Sequence, residues 1–163
     1  MYLLHNTDES YIYKILSDGK LKSSSKTKNV RMFGQPSGSK YIYLRLNQKK
    51  DYGNLYLDTK LLLENIFYLQ TGWHGEPVTE KIDGRKLTLT QLNKILSDFR
   101  KQVQKFYKTQ LKNNIPIPIM MSNEILVKNN IDLKKYLKKI HIVNKNQKII
   151  NTTNEFYPKI TFL

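Results

Sequence analysis

The sequence predicts a mixed α+β fold, built as one domain over residues 1–163. Short runs of aromatic and β-branched residues recur along the chain, as strands do. One long stretch repeats apolar residues at helical spacing. The two kinds of element do not alternate as they would in a doubly wound parallel sheet. A hydrophobic fraction of 39% with 11% aromatics supplies one core and speaks against a disordered chain.

The elements follow in order. Tyr2-Leu3-Leu4-His5 reads as the opening strand. Thr7 or Asp8 can cap a helix that carries Tyr11, Ile12, Ile15 and Leu16 at helical spacing, with Gly19 placed to end it. Lys20 to Ser39 is rich in Ser, Lys and Gly and reads as a loop. Tyr41 to Leu46 and Leu55 to Leu57 are strands, Asp58 caps a brief helix from Thr59 to Glu64, and Ile66 to Gln70 is a strand again. Thr71 to Pro77 is a turn-rich connection whose Trp73, His74 and Glu76 could line a pocket or anchor the loop. The clearest helix runs from about Thr90 to Leu111, burying Leu92, Ile95, Leu96, Phe99, Val103 and Phe106. Its other side carries Lys94, Lys101, Lys105, Lys108 and Lys112, a row that reads as a solvated face or a nucleic-acid contact. Beyond Pro116 and Pro118 the pattern is strand-like, at Glu124 to Lys128, Leu137 to Val143 and Ile160 to Leu163.

Charge is the strongest compositional signal. A formal +15 attracts polyanions. Of the 28 basic residues only Arg31, Arg45, Arg85 and Arg100 are arginine, and a Lys/Asn-rich mixture also arises from an AT-rich genome. The absence of cysteine excludes disulfides, thiolate metal sites and cysteine nucleophiles. No stretch approaches the roughly 20 apolar residues of a membrane-spanning helix, and the N-terminus lacks a basic start and a long apolar region. The expectation is an intracellular protein, cytoplasmic or nuclear or packaged in a virion. His5, His74 and His141 lie far apart without metal-ligand spacing, so no metal site is expected.

Generic catalytic motifs are missing: there is no Gly-x-Ser-x-Gly elbow, phosphate-binding P-loop or His-Glu-x-x-His site. What remains is a distributed set. His5-x-Thr7 is followed by a helix, then Phe33-Gly34, then Tyr41-Ile42-Tyr43-Leu44. Ser122-Asn123-Glu124-Ile125-Leu126-Val127 comes late, with Ile131, Tyr136-Leu137 and Ile140 after it. This order resembles the His-Tyr-Glu branch of the ADP-ribosyltransferase superfamily, which includes the poly(ADP-ribose) polymerases. There a first-strand His-Gly-Thr/Ser motif, a Phe-Gly-x-Gly-Ile-Tyr-Phe segment and a late Asn-Glu-Tyr-x-Val strand occur in the same sequence. The resemblance runs from Leu3 to about Ile140, with Asn6 where the family has glycine and Lys49 where a serine precedes the tyrosine.

The resemblance implies split antiparallel sheets, with the long helix inserted before the last strands, and NAD as substrate. His5 would bond the nicotinamide ribose and Thr7 would support the same loop as Asn6. Tyr52, or else Tyr43 or Tyr41, would stack on the nicotinamide ring. Glu124 would take the ribose 2′-hydroxyl and stabilise the oxocarbenium-like charge. Arg31 and Gly34, in the segment from Lys20 to Ser39, would help cover the diphosphate. The implied activity is mono-ADP-ribosyl transfer to a protein or nucleic-acid acceptor. Alternatives are a catalytically silent, basic nucleic-acid-binding or structural protein of the same fold, a viral protein included, and a small nuclease or RNA-processing enzyme, including a phosphotransferase of the same superfamily that uses NAD to remove a 2′-phosphate from RNA.

Overall fold

The computed structural model describes residues 1–27, 40–46, 53–71, 78–112, 124–144 and 146–163. It is a mixed α/β protein with several sheets. Strand β1 (Tyr2–Thr7) leads into helix α1 (Glu9–Asp18), short strand β2 (Lys20–Leu21) and one-turn helix α2 (Ser24–Thr27). Strands β3 (Ile42–Leu44) and β4 (Gly53–Asp58) follow, then a 3-10 turn over Thr59–Glu64 and strands β5 (Ile66–Thr71) and β6 (Val78–Asp83). A second 3-10 turn, Gly84–Lys86, precedes the long helix α3 (Leu89–Lys112). Strand β7 (Glu124–Val127), strand β8 (Ile131–Asp132), helix α4 (Leu133–Tyr136), strand β9 (Leu137–His141), helix α5 (Gln147–Phe156) and strand β10 (Thr161–Phe162) complete the chain.

Local chemistry accounts for the boundaries. The Asp8 carboxylate accepts from Ser10 N–H at the start of α1, satisfying one of the donors a helix start leaves open. Gly19 closes α1 in the left-handed region at φ 65°, where a Cβ is disfavoured. Asp58 and Asp132 cap the Thr59–Glu64 turn and α4 in the same manner.

Strand order is β1-β4-β9-β10 in one large sheet and β3-β7-β5-β6 in the other, with β2-β8 as a separate pair. All pairings are antiparallel except β9-β10, which is parallel, so the first sheet is mixed where the resemblance implied antiparallel sheets. The inward faces meet in one core. Leu3, Leu55, Leu57 and Ile140 come from the first sheet, and Ile42, Leu44, Phe67, Ile125 and Val127 from the second. Leu92, Leu96, Phe99 and Val103 of α3 enter the same cluster. Each such side chain contributes about 1.5–3 kcal/mol on burial.

Several expectations need correction. The segment from Lys20 to Ser39 is not all loop, since β2 and α2 lie in it. Thr7 belongs to β1, leaving Asp8 as the cap. Ile95 is only partly buried, and Phe106 lies outside the described side chains. The C-terminal third is not purely strand-like: α5 packs on α1, and Tyr157 O–H donates to Leu16 O at 2.8 Å to tie the two. Among the described residues, no helix is long and apolar enough to cross a membrane.

Candidate active site

Among the described residues, the two large sheets are joined by one backbone bridge. Leu4 N–H donates to Arg45 O at 2.7 Å and Arg45 N–H returns a bond to Leu4 O at 2.8 Å. This seam sets the position of three of the sequence-derived site residues, because β1, β3 and β7 lie side by side around it.

The second sheet presents two faces by strand alternation. Ile42, Leu44, Ile125 and Val127 point into the core. Tyr41, Tyr43, Arg45, Glu124 and Leu126 occupy the other face. Gln70 stands opposite Glu124 and Tyr68 opposite Leu126 in the β5–β7 register. The result is a polar row in which Glu124 has Arg45 on one side and Gln70 on the other, beside a row of Tyr43, Leu126 and Tyr68. Tyr41 meets Tyr68 edge-on, with ring centroids 5.4 Å apart, and burial beside Tyr68 raises the Tyr41 phenol above its usual range.

Glu124 is 3% exposed, in keeping with a carboxylate that must be paired. Arg45 pairs it. Nη2 donates to Glu124 Oε1 at 2.8 Å and Nε to the same oxygen at 3.3 Å. Oε2 takes no hydrogen bond from the described residues. The sequence reading missed Arg45, whose signal was its spacing. At two and four residues from Tyr43 and Tyr41 it must share their face.

His5 is half-buried on β1, and its Nδ1 lies 3.1 Å from Tyr43 O. A carbonyl only accepts, so Nδ1 carries the proton and Nε2 keeps its lone pair. Burial pushes the imidazole below its ordinary value, against the smaller opposing effect of the Tyr43 carbonyl. His5 is therefore neutral near pH 7. Because Leu4 and Arg45 form a bridged pair, their side chains share a face, and alternation turns His5 to the other. His5 and Glu124 thus flank the seam from opposite faces.

Asn6 is the next residue along. Backbone groups two residues apart point to the same side of a strand, so the Asn6 N–H and C=O face the side on which Leu4 bonds Arg45, one step beyond the bridge. Its side chain turns across the sheet instead. Asn6 Nδ2 donates to Asn54 Oδ1, and Asn54 Nδ2 donates to His141 Nδ1 at 3.2 Å. These three residues are cross-strand neighbours on β1, β4 and β9. Asn6 Oδ1 is buried without a partner. Neither Asn54 nor His141 was singled out at this site from sequence.

Thr7 ends β1 opposite Gly53. Tyr52, Arg31, Gly34, Asn123 and the Trp73-His74-Gly75-Glu76 connection lie outside the described residues. Among the described residues, no group of three or more His, Asp or Glu gathers as a metal site would require. No protein-family model matches the chain, and neither does a curated protein or a solved structure.

Proposed function

We propose that this chain is a mono-ADP-ribosyltransferase-like protein that takes NAD as substrate at the seam between its two large sheets. The observation that carries the reading is the convergence of β1, β3 and β7. They bring His5, Tyr43 and Glu124, widely separated in sequence, onto three adjacent strands.

The reading assigns the following chemistry. The nicotinamide carboxamide bonds the Asn6 backbone N–H and C=O, which face the side where β1 runs past the last bridge to β3. His5, on the face opposite Glu124, does not share its ribose; its Nδ1–H bond to Tyr43 O holds β1 against β3 beside Asn6. Glu124 Oε2, unbonded by the described residues, accepts from the 2′-hydroxyl. Its fixed negative charge stabilises the oxocarbenium-like ribose as the C–N bond breaks and nicotinamide leaves with the bonding pair. The acceptor nucleophile then attacks the anomeric carbon and loses a proton. Tyr43 or Tyr41, on the same outer face as Glu124, or else Tyr52, stacks on the nicotinamide ring.

A second reading has one observation in its favour. Glu124 is almost wholly buried and already neutralised by Arg45, as in a purely structural ion pair. On that reading the fold is catalytically silent.

Radiolabelled NAD incubated with wild type and Glu124→Gln separates the two. The amide still accepts from Arg45, so the fold survives. Nicotinamide release by wild type, reduced about 10²–10³-fold in the variant, supports transfer. Absent release from both, with no NAD binding by calorimetry, leaves the silent reading, and equal release from both removes Glu124 from the chemistry.

A further inference from the structure

We propose that the lysine-lined groove on the C-terminal half of α3 is a binding site for a nucleic-acid phosphodiester backbone, separate from the NAD site. The groove is open, about 390 Å³, and lined by Lys101, Gln104, Lys105, Lys108, Thr109 and Lys112. Its lysines follow one another at spacings of four, three and four residues, so they form a single stripe. At 1.5 Å per residue the stripe is about 16 Å long, a length over which one nucleic-acid strand carries about five phosphates.

A merely solvated helix face mixes signs, setting acids one turn from bases. Here three successive lysine pairs sit at repulsive spacing, and the one acid of α3, Asp98, reaches Lys101 at 3.7 Å. Lys105, Lys108 and Lys112 have no acidic partner among the described residues. The other basic cluster differs. Lys135 pairs with Glu64 and Lys138 with Asp58, while Lys139 lies over the Tyr2 ring. On the α3 stripe four lysines are thus answered by a single acid. A lipid surface is the poorer partner, because a helix lying on lipid needs its apolar face, and Leu92, Leu96, Phe99 and Val103 spend that face on the core.

The test is fluorescence anisotropy of the full chain with a labelled single-stranded RNA, the same sequence as DNA, and the DNA duplex, each at several salt concentrations. A variant carrying Lys→Gln at 101, 105, 108 and 112 is compared with one carrying Lys→Gln at the exposed Lys14, Lys81, Lys86 and Lys159. Both have the same net charge, and thermal melts confirm that each folds. We expect wild-type binding that weakens steeply with salt. The groove variant should bind at least about tenfold more weakly, with a salt slope lower by about 3. The control variant should change by less than about threefold. The RNA and DNA arms identify which backbone is preferred. Equal losses in the two variants, or no binding by wild type at about 150 mM salt, overturn the proposal. So does displacement of the probe by polyglutamate at equal charge, which assigns the groove to an acidic protein. No arm depends on NAD, so this proposal stands or falls separately from transferase activity.

Discussion

Arg45 places both of its bonds on one oxygen of Glu124, leaving the second oxygen unbonded by the described residues. The arrangement pairs a nearly buried carboxylate while keeping one acceptor for another donor. Breaking such a pair from one side leaves a buried charge uncompensated, so Arg45→Met should destabilise the fold by about 3 kcal/mol. Adding Glu124→Leu should restore part of the loss. Urea denaturation of the four proteins gives the coupling, expected at about 1 kcal/mol or more. Strict additivity would mean that the two side chains do not act on each other.

His5 links acidity to stability. Burial lowers its folded-state value below the ordinary 6.5, so on mild acidification the unfolded chain binds the proton more readily than the folded one. The stability contributed by neutral His5 is complete above about pH 6.5 and is lost as pH falls through the folded value. His5→Asn keeps a donor for Tyr43 O without a titrating ring. Between about pH 7 and pH 5, wild type should lose melting temperature more steeply than this variant. Parallel curves would exclude His5 as the group responsible.

The carboxamide of Asn54 is fully buried between Asn6 and His141. Asn54→Ala strips Asn6 Nδ2 of its acceptor beside an Oδ1 that already lacks a partner. A loss of about 2 kcal/mol in a chemical-denaturation midpoint analysis is expected. A change below about 0.5 kcal/mol would mean that water replaces the amide without penalty.

Gly84 joins the two 3-10 turns. A Cβ there would lie 1.9 Å from Leu62 O and 2.9 Å from Asn65 O, both backbone atoms that cannot swing aside. Gly84→Ala should therefore cost about 3 kcal/mol by overpacking, read from urea unfolding. A variant as stable as wild type would show that the turns can separate freely.

Much of the frame was legible because its signals are local. Asp8, Gly19 and Asp58 announce their helix ends, and Leu92, Leu96 and Phe99 announce α3 by period. Helix α5 was not legible, since its buried face is Ile149, Thr152 and Thr153. Both threonines return their hydroxyls to carbonyls four residues back, at 2.9 and 2.8 Å, which lets a polar residue pack as an apolar one. Strand β6 was equally hidden. Its Val-Thr-Glu-Lys-Ile-Asp sequence has no buried alternation and takes its form from pairing with β5. At the candidate site, His5 and Glu124 stood out by residue type, whereas Arg45 and Asn54 matter through partners 79 and 48 residues away.

Hydrogen exchange gives the Leu4–Arg45 bridge a further meaning. Among the described residues, two amide protons carry the whole backbone ladder between the large sheets. An opening at that edge breaks two backbone bonds and leaves the ladder of each sheet intact, while the core beneath still joins the two. The Leu4 and Arg45 amides therefore report that opening and should exchange ahead of the neighbouring Leu3 and Leu44 amides in the core.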